Sequence, residues 1–378
     1  MIAPLYSAFA LFGVAMVQAV VLAAWRERLR AERGRRTGEA FIKASATVIV
    51  PARNAEHTLI PLLQDLNAQD LPKEQLQVVV VDDWSEDATT RIVEGMRPQW
   101  PQLELLRNTG EGKKAAITTG VHHARNEFII LTDADARCGR ERIRTVLAAM
   151  EEGQLDMIVL PVPTVGDGGF LGRVQEEEQA GLLGVAMGQA LSRRTGLAYG
   201  ANLAFRRSAF LGVNGYQGDR FVSGDDMFLL KRMQRAGKRI GVRYGLEAAV
   251  SVDAEVDLRG FITQRLRWAG KMRGVGGAFT WVGLGLLLLP WFLMVFTMRV
   301  TAEQMMAADG VELFILLFAA WALWLIPVVA LVSEVRRGLQ QRVWPLVSAF
   351  CYLLFTVYAP LIAVASLFYR PRWKGRRT

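Results

Sequence analysis

The stretch Phe128-Ile-Ile-Leu-Thr-Asp-Ala-Asp135 decides the fold. Its apolar residues, Phe128 to Leu131, run directly into two carboxylates that lie one residue apart. Such a run is typical of a buried central strand in a parallel sheet. Ligands of open α/β sheets bind at the carboxyl ends of the strands, so Asp133 and Asp135 are expected at the mouth of a crevice. A hard divalent ion such as Mg²⁺ or Mn²⁺ would relieve the repulsion between them, and an acidic surface turn is the alternative.

Further strands and helices alternate through the middle of the chain. Residues 47–50 and 78–81 are rich in valine and isoleucine, which favours two more buried strands. Between them, leucines at i, i+3, i+4 and i+7 indicate an amphipathic helix: Leu59, Leu62, Leu63 and Leu66. Alternating strands and helices predict parallel βαβ units, and therefore an α/β domain with a doubly wound, Rossmann-like sheet.

Both ends of the chain are apolar, and the 378 residues carry a formal net charge of +9. The first run, residues 3–24, is long enough to cross a bilayer and is followed by a cluster of arginines. That cluster predicts that the residues after it lie in the cytoplasm. The membrane that the run crosses is expected to be a bacterial-type inner membrane. Three further apolar runs come near the C-terminus: 279–298, 313–332 and 343–369. Because the basic residues flank membrane runs and no nucleic-acid motif is present, we expect a membrane partner and no nucleic acid.

Four acidic and aromatic motifs succeed one another along the chain. They are Asp82-Asp83 after a strand, the Asp133–Asp135 pair, Asp225-Asp226 at a helix start capped by Ser223, and Gln264-x-x-Arg267-Trp268 before an apolar run. The residues of the last motif share one helical face. In this order the motifs resemble the membrane-integrated family 2 inverting glycosyltransferases, such as cellulose, chitin, hyaluronan and poly-N-acetylglucosamine synthases and ceramide glucosyltransferase.

The resemblance covers about residues 45–275 and implies a nucleotide-sugar-binding GT-A domain. It assigns metal binding to Asp133 and Asp135, the catalytic base to Asp226, and orientation or capping to Asp225. The residues that it assigns to the nucleotide-sugar are Pro51, Ala52, Arg53, Asn54, Asp82, Asp83, Lys113, Asp133 and Arg267. The residues that it assigns to the acceptor are Gly200, Asn202, Gln264 and Trp268.

The expected domain organisation is derived from the apolar runs and the resemblance. The segments are an N-terminal transmembrane helix (1–24), a basic cytoplasmic linker (25–44), the GT-A domain (45–256), an amphipathic interface helix (257–275), a C-terminal transmembrane region (276–369) and a basic tail (370–378). The basic tail conflicts with three full crossings after a cytoplasmic domain, so one C-terminal run is alternatively re-entrant or interfacial.

The resemblance implies transfer of a sugar from a nucleotide-diphospho sugar, most simply a UDP-sugar, to a lipid or a growing glycan at the cytoplasmic membrane face. The cofactor would be Mg²⁺ or Mn²⁺. A polymer product would require a membrane partner for export, because the chain has few helices for a channel. A nucleotidyltransferase on the same fold and a non-catalytic GT-A membrane scaffold are the alternatives.

Overall fold

The computed structural model describes residues 2–33, 43–192, 196–218, 225–272, 278–300, 310–368, 372–373 and 376–377. Its strands are β1 (Ala46–Ala52), β2 (Leu76–Asp82), β3 (Leu103–Arg107), β4 (Phe128–Thr132), β5 (Ala136–Cys138), β6 (Met157–Val159), β7 (Thr164–Val165), β8 (Asn202–Arg206), β9 (Ile240–Val242), β10 (Val250–Asp253), β11 (Arg372–Trp373) and β12 (Arg376–Arg377).

The helices precede, separate and succeed these strands. They are α1 (Ile2–Arg33), α2 (Leu59–Asn67), α3 (Thr89–Met96), α4 (Lys113–His123), α5 (Arg142–Glu152), α6 (Phe170–Leu191), α7 (Arg207–Gly212), α8 (Asp225–Arg235), α9 (Leu258–Met272), α10 (Ala278–Arg299), α11 (Gly310–Gly338) and α12 (Pro345–Phe368). Ser223, the expected cap of α8, lies outside the described residues.

A seven-stranded sheet in the order β3-β2-β1-β4-β8-β6-β9 forms the centre of the α/β domain. The four strands β3, β2, β1 and β4 are parallel, as expected, and β1 lies between β2 and β4. The chain therefore changes direction across the sheet at β1, and this is where a ligand crevice is expected in an α/β fold. All five residues of β4 are buried, which confirms the reading of Phe128–Thr132 as a central strand.

Strand β8 does not follow the parallel pattern of β3, β2, β1 and β4. This strand is inserted between β4 and β6 and runs antiparallel to both. As a result, the beginning of β8, rather than its end, lies at the carboxyl edge of β4. The sheet is mixed, with a separate three-stranded sheet of β5, β10 and β7.

Apolar helices pack beside this domain. Three of the described helical segments are long and apolar enough to cross a membrane: Leu5–Arg33, Gly310–Gly338 and Pro345–Phe368. Ala8 of α1 packs with Leu313 of α11 near the start of both helices, whereas Ala15 packs with Trp324 further along. Helices α1 and α11 therefore run in the same direction.

Helix α1 continues without interruption to Arg33, past the start of the basic linker expected at 25–44. Trp25 and Leu29 are buried in the main hydrophobic core, and Arg33 forms a 3.4 Å ion pair with a glutamate of α11. Burial of two apolar side chains explains why the helix does not end where the apolar run ends. Residues 34–42 lie outside the described part of the chain.

Helix α6 joins the domain to the apolar helices through three glycines. A Cβ atom at Gly181 would overlap the hydroxyl of Tyr352 in α12, one at Gly184 would press on Leu331 of α11, and one at Gly188 would overlap the ring of Trp25 in α1. Each glycine thus allows a different apolar helix to approach α6 closely. These close contacts fix the apolar helices against the domain.

Candidate active site

The expected nucleotide-sugar and metal residues meet at the carboxyl edge of β1, β2 and β4. Polar loops come after each of these strands, and α4 begins beside them. The register pairs Ala52 of β1 with Asp82 of β2, so the loops start at the same level of the sheet. This edge is the crevice that the strand order predicts.

Lys113 and Asp133 form an ion pair in this crevice. The distance from Lys113 Nζ to Asp133 Oδ1 is 2.7 Å, and the two side chains are 21% and 32% exposed. Sequence reasoning placed both residues near the diphosphate but did not predict that they pair with each other. Without a donor, the lysine therefore supplies the positive charge next to the acidic pair.

The two carboxylates at the end of β4 differ in exposure. Asp133 is half-buried and Asp135 is exposed, and a tight turn separates them because the Ala136 N–H donates to the Asp133 carbonyl at 3.1 Å. Within the described residues, no cluster of three or more His, Cys, Asp or Glu side chains is positioned to hold a metal ion. Two carboxylates fit a hard ion such as Mg²⁺ or Mn²⁺ that takes its other oxygen ligands from phosphates and water.

Asp82 and Asp83 are buried and their oxygens bind loops of the protein. Asp82 Oδ1 accepts from the N–H of Ser85 at 3.1 Å. Asp83 Oδ1 accepts from Asn108 Nδ2 at 2.7 Å and from the N–H of Gly112 at 2.9 Å. Gly112 has a φ of +88°, a conformation that favours glycine, and it directly precedes Lys113. The aspartate pair thus fixes the start of α4, and its contact with a nucleoside stays a prediction.

The loop after β1 is bound firmly to the loop after β2. Arg53 Nη1 donates to the carbonyl of Asp83 at 2.9 Å. The Asn54 N–H donates to Ser85 Oγ at 3.0 Å, and Asn54 Oδ1 accepts from the Glu86 N–H at 2.9 Å. Of the expected β1 residues, Ala52 is buried, Pro51 and Arg53 are half-buried, and Asn54 is exposed. Sequence reasoning missed Ser85 and Glu86, whose role depends on contacts about thirty residues apart.

The antiparallel direction of β8 brings the expected base to the same edge. Asn202 pairs with Thr132, the residue before Asp133, so Gly200 lies close to the acidic turn. The N–H of Gly200 donates to Asp226 Oδ2 at 3.3 Å, and the N–H of Met227 donates to Asp226 Oδ1 at 2.8 Å. These two bonds orient the Asp226 carboxylate at the start of α8.

Tyr199 lies next to this carboxylate. Burial raises the pKa of the Tyr199 phenol well above its ordinary value, and the charge of Asp226 raises it further. The phenol therefore stays protonated at neutral pH and does not compete with Asp226 as a base. The side chain of Asp225 lies outside the described atoms, and its orienting role stays a prediction.

Asn202, which the resemblance assigns to the acceptor, lies in the interior of the protein. Its side chain is completely buried. Asn202 Nδ2 donates to the carbonyls of Pro161 and Ala248 at 2.8 and 2.9 Å, and its Oδ1 accepts from Arg142 at 3.0 and 3.2 Å. Arg142 is itself fully buried and also donates to the Leu131 carbonyl. Asn202 is therefore a structural residue that satisfies a buried arginine behind β4.

Helix α9 carries the Gln-x-x-Arg-Trp motif, and the side chains of this motif are half-buried. Gln264 Nε2 donates to Glu255 Oε1 at 2.8 Å, and its Oε1 accepts from Arg265. Arg267 and Trp268 are both half-buried. The amide of Gln264 thus links α9 to the segment before it, and contacts of Gln264, Arg267 and Trp268 with donor or acceptor stay predictions.

Comparisons with known proteins agree with this geometry. Residues 47–212 match the family model described as glycosyl transferase family 2. TarS of Staphylococcus aureus, a poly(ribitol-phosphate) beta-N-acetylglucosaminyltransferase, is 34% identical over 124 residues, which are 32% of this chain and 22% of that protein. An undecaprenyl-phosphate 4-deoxy-4-formamido-L-arabinose transferase of Shewanella sediminis is 32% identical over 110 residues, 28% of this chain and 33% of that protein. The matched segments are thus a third or less of the length of these relatives.

A solved structure shares the fold over nearly the whole chain. The mannosyltransferase PcManGT from Pyrobaculum calidifontis, in complex with GDP-Man and Mn²⁺, has a TM-score of 0.53 at 19% sequence identity. The likeness covers 92% of this chain and 99% of that one. The family match ends at residue 212, before Asp226 and α9, so the roles of those residues depend on geometry. Residues 47–212, less than half of the chain, thus match glycosyltransferase family 2, and the chain shares the GT-A type of fold with this structure.

Proposed function

We propose that this protein is a membrane-bound inverting glycosyltransferase that moves a sugar from a nucleotide-diphospho sugar to a lipid or glycan acceptor at the cytoplasmic membrane face. One observation carries the proposal. The antiparallel strand β8 brings Gly200, and with it Asp226, beside the turn that holds Asp133 and Asp135, where Lys113 at the start of α4 pairs with Asp133. A carboxylate for the acceptor and a charged site for the donor therefore share one edge of the sheet.

Asp226 serves as the general base of a direct displacement. It accepts the proton of the acceptor hydroxyl while that oxygen attacks the anomeric carbon of the sugar. The bond between this carbon and the diphosphate oxygen breaks in the same step, the electron pair leaves with the nucleoside diphosphate, and the anomeric configuration inverts. The two backbone hydrogen bonds to Asp226 keep its oxygens in place for this transfer.

The donor side requires positive charge, because the departing diphosphate becomes more negative. Lys113 supplies an ammonium group there, held at 2.7 Å from Asp133. Asp133 and Asp135 would hold a divalent ion, which supplies a second counter-charge to the diphosphate when it is bound. The PcManGT structure contains Mn²⁺ and GDP-Man, which supports testing Mn²⁺ first and GDP-mannose beside UDP-sugars as donors.

A lipid-linked acceptor is the one that the chain favours. The apolar helices pack directly on α6 of the domain, so the active site stays close to the membrane. The Shewanella sediminis relative is named for undecaprenyl-phosphate, and TarS is named for poly(ribitol-phosphate). Undecaprenyl-phosphate is a lipid that lies in a membrane. An acceptor of this kind would be within reach of a domain that is held close to the membrane by its apolar helices.

The basic residues after the first apolar run support a cytoplasmic catalytic domain. Arg33 at the end of α1 pairs with Glu334 near the end of α11, so both helices finish on the side of the domain. A reporter fused after Thr378 should establish the side of the basic tail and show whether α12 crosses the membrane.

The experiment is a panel of radiolabelled donors with purified protein in detergent, Mn²⁺ and a lipid extract. We expect label in the lipid phase and release of a nucleoside diphosphate, and both should be lost in Asp226→Asn. A high-mass labelled polymer would identify a processive enzyme. Release of pyrophosphate would instead show a nucleotidyltransferase, and absence of turnover and of metal-dependent donor binding would favour the scaffold.

A further inference from the structure

Three consecutive glutamates of α6 contact helices outside the sheet. Because α6 begins at Phe170, all three lie beyond its first turn, where the helix dipole has little effect on them. Their partners are Arg173 and Arg336 for Glu176, Arg336 and Ser348 for Glu177, and Arg265 and Tyr358 for Glu178. Among these contacts, Glu178 alone reaches the helix that carries the Gln-x-x-Arg-Trp motif.

Glu178 binds Arg265 through a buried ion pair in which one nitrogen, Nε, is shared by both carboxylate oxygens. Arg265 Nε lies 3.0 and 2.9 Å from the two carboxylate oxygens, and the side chains of Arg265 and Glu178 are only 5% and 7% exposed. The guanidinium of Arg265 also lies between two rings of α9, 4.5 Å from the centroid of Phe261 and 4.4 Å from that of Trp268. The orientation of Trp268 is therefore coupled to the position of Glu178.

Tyr358 of α12 completes the junction from the side of the apolar helices. Its hydroxyl donates to Glu178 Oε2 at 2.9 Å, and its ring makes an edge contact with Phe261 at 5.5 Å between centroids. One carboxylate thus joins α6, α9 and α12.

A buried ion pair is a poor source of stability, because removing two charges from water costs about as much as the pair regains. What such a pair supplies is direction, because the charge-assisted hydrogen bonds that Glu178 accepts from Arg265 and Tyr358 are short and hold both partners in place. Arg265 lies between Gln264 and Arg267 in sequence, so fixing Arg265 fixes the helical face of the motif.

We propose that Glu178 is a positioning residue that locks α9 to the apolar helix α12 through Arg265 and Tyr358, and thereby holds Trp268 at the acceptor side of the active site. This inference rests on the proposed function for its consequence in acceptor transfer. The locking of α9 itself concerns the structure only, so the two parts can be tested separately.

The test compares Tyr358→Phe with Ser348→Ala. Tyr358→Phe removes the hydroxyl that lies 2.9 Å from Glu178, and Ser348→Ala removes the hydroxyl that lies 2.7 Å from Glu177. Of the contacts described for these two glutamates, the one that reaches α9 is made by Glu178. Hydrogen–deuterium exchange of peptides from 258–272 should be roughly tenfold faster in Tyr358→Phe, a ratio equivalent to about 1.4 kcal/mol. Ser348→Ala should leave α9 exchange unchanged. Equal exchange in both variants would overturn the proposal.

Activity measurements then test the consequence. In Tyr358→Phe the KM for acceptor should rise while the KM for donor and the hydrolysis of donor by water stay as in the parent protein. If Glu178→Gln folds, it should raise the KM for acceptor in the same way but by a larger factor. If it does not fold, Tyr358→Phe alone decides the question. A parallel loss of donor hydrolysis and transfer would show a general structural role and refute positioning. Failure of the parent protein to transfer sugar would refute the proposed function while leaving the exchange result to decide the locking of α9.

Discussion

Replacing Lys113 by methionine should change metal binding and nucleotide binding in opposite directions. The ammonium of Lys113 lies 2.7 Å from Asp133, so in the absence of donor it competes with a divalent ion for that carboxylate. Lys113→Met removes the competitor and should tighten metal binding to the nucleotide-free protein. The same change removes a positive charge from the diphosphate site and should weaken nucleotide binding.

The structure sets the size of both effects. Because the two side chains are 21% and 32% exposed, the pair is screened by water and is worth about 0.2–1 kcal/mol. The upper value corresponds to metal binding that is about fivefold tighter. A hydrogen bond from a charged group is worth about 1.5–3 kcal/mol, so the Kd for UDP or GDP should rise by roughly 10- to 150-fold.

The assay is Mn²⁺ binding by electron paramagnetic resonance, with and without nucleoside diphosphate. Lys114→Met is the matched control, because it removes the same charge one residue away, where the ammonium lies 4.6 Å from the Phe228 ring centroid. Lys114→Met should tighten metal binding less than Lys113→Met does, and it should also weaken nucleotide binding less. Weaker metal binding in nucleotide-free Lys113→Met, or equal changes in both variants, would refute competition at Asp133.

Three further predictions concern other residues. Asp226→Asn should lower transfer by roughly 10²-fold or more, the usual effect of removing a general base, with donor and metal affinity retained; near-normal turnover would exclude it as the base. Asn202→Ala should destabilise the protein by about 1.5–3 kcal/mol because the buried Arg142 guanidinium loses a hydrogen-bond acceptor, and a midpoint in denaturant close to that of the parent would contradict this. Burial alone would raise the pKa of Asp87, but hydrogen bonds from the Thr89 side chain and backbone outweigh it and the pKa is lowered. A carboxyl group with a lowered pKa stabilises the folded state above the unfolded value near 3.9, and this stabilisation is lost as the pH falls through the folded pKa. Asp87→Asn should therefore lower the Tm at pH 7, and the difference should shrink as the pH falls below the unfolded value; a difference that stays constant with pH would refute the assignment.

The parts of the fold that local pattern specifies were predictable. The apolar run before Asp133 identified β4, and its position beside β1 agrees with the alternation of strands and helices. The direction of β8 was not predictable, because a five-residue strand carries no local signal of parallel or antiparallel pairing. That direction nevertheless decides that Gly200, rather than Arg206, lies at the site.

The candidate site was predictable only as a set of acids at one edge. The sequence did not reveal the contacts of residues whose partners are distant along the chain. Asn202 had the sequence context of an acceptor turn, but its partner Arg142 is sixty residues away and buried. Lys113 and Asp133 were each expected near the diphosphate, yet their pairing depends on where α4 begins relative to β4.

The glycines of α6 have a consequence for which acceptors the protein selects. Gly181, Gly184 and Gly188 seat three apolar helices directly on the domain. With these helices in a membrane, as proposed, the catalytic edge would stand at a constant height above the lipid surface. The domain would then select acceptors by length. A hydroxyl would react only if its head group extends from the bilayer as far as the catalytic edge. A series of acceptors with identical sugars and graded spacers should show one optimal spacer length, and Gly188→Ala, by displacing Trp25, should broaden or shift that optimum.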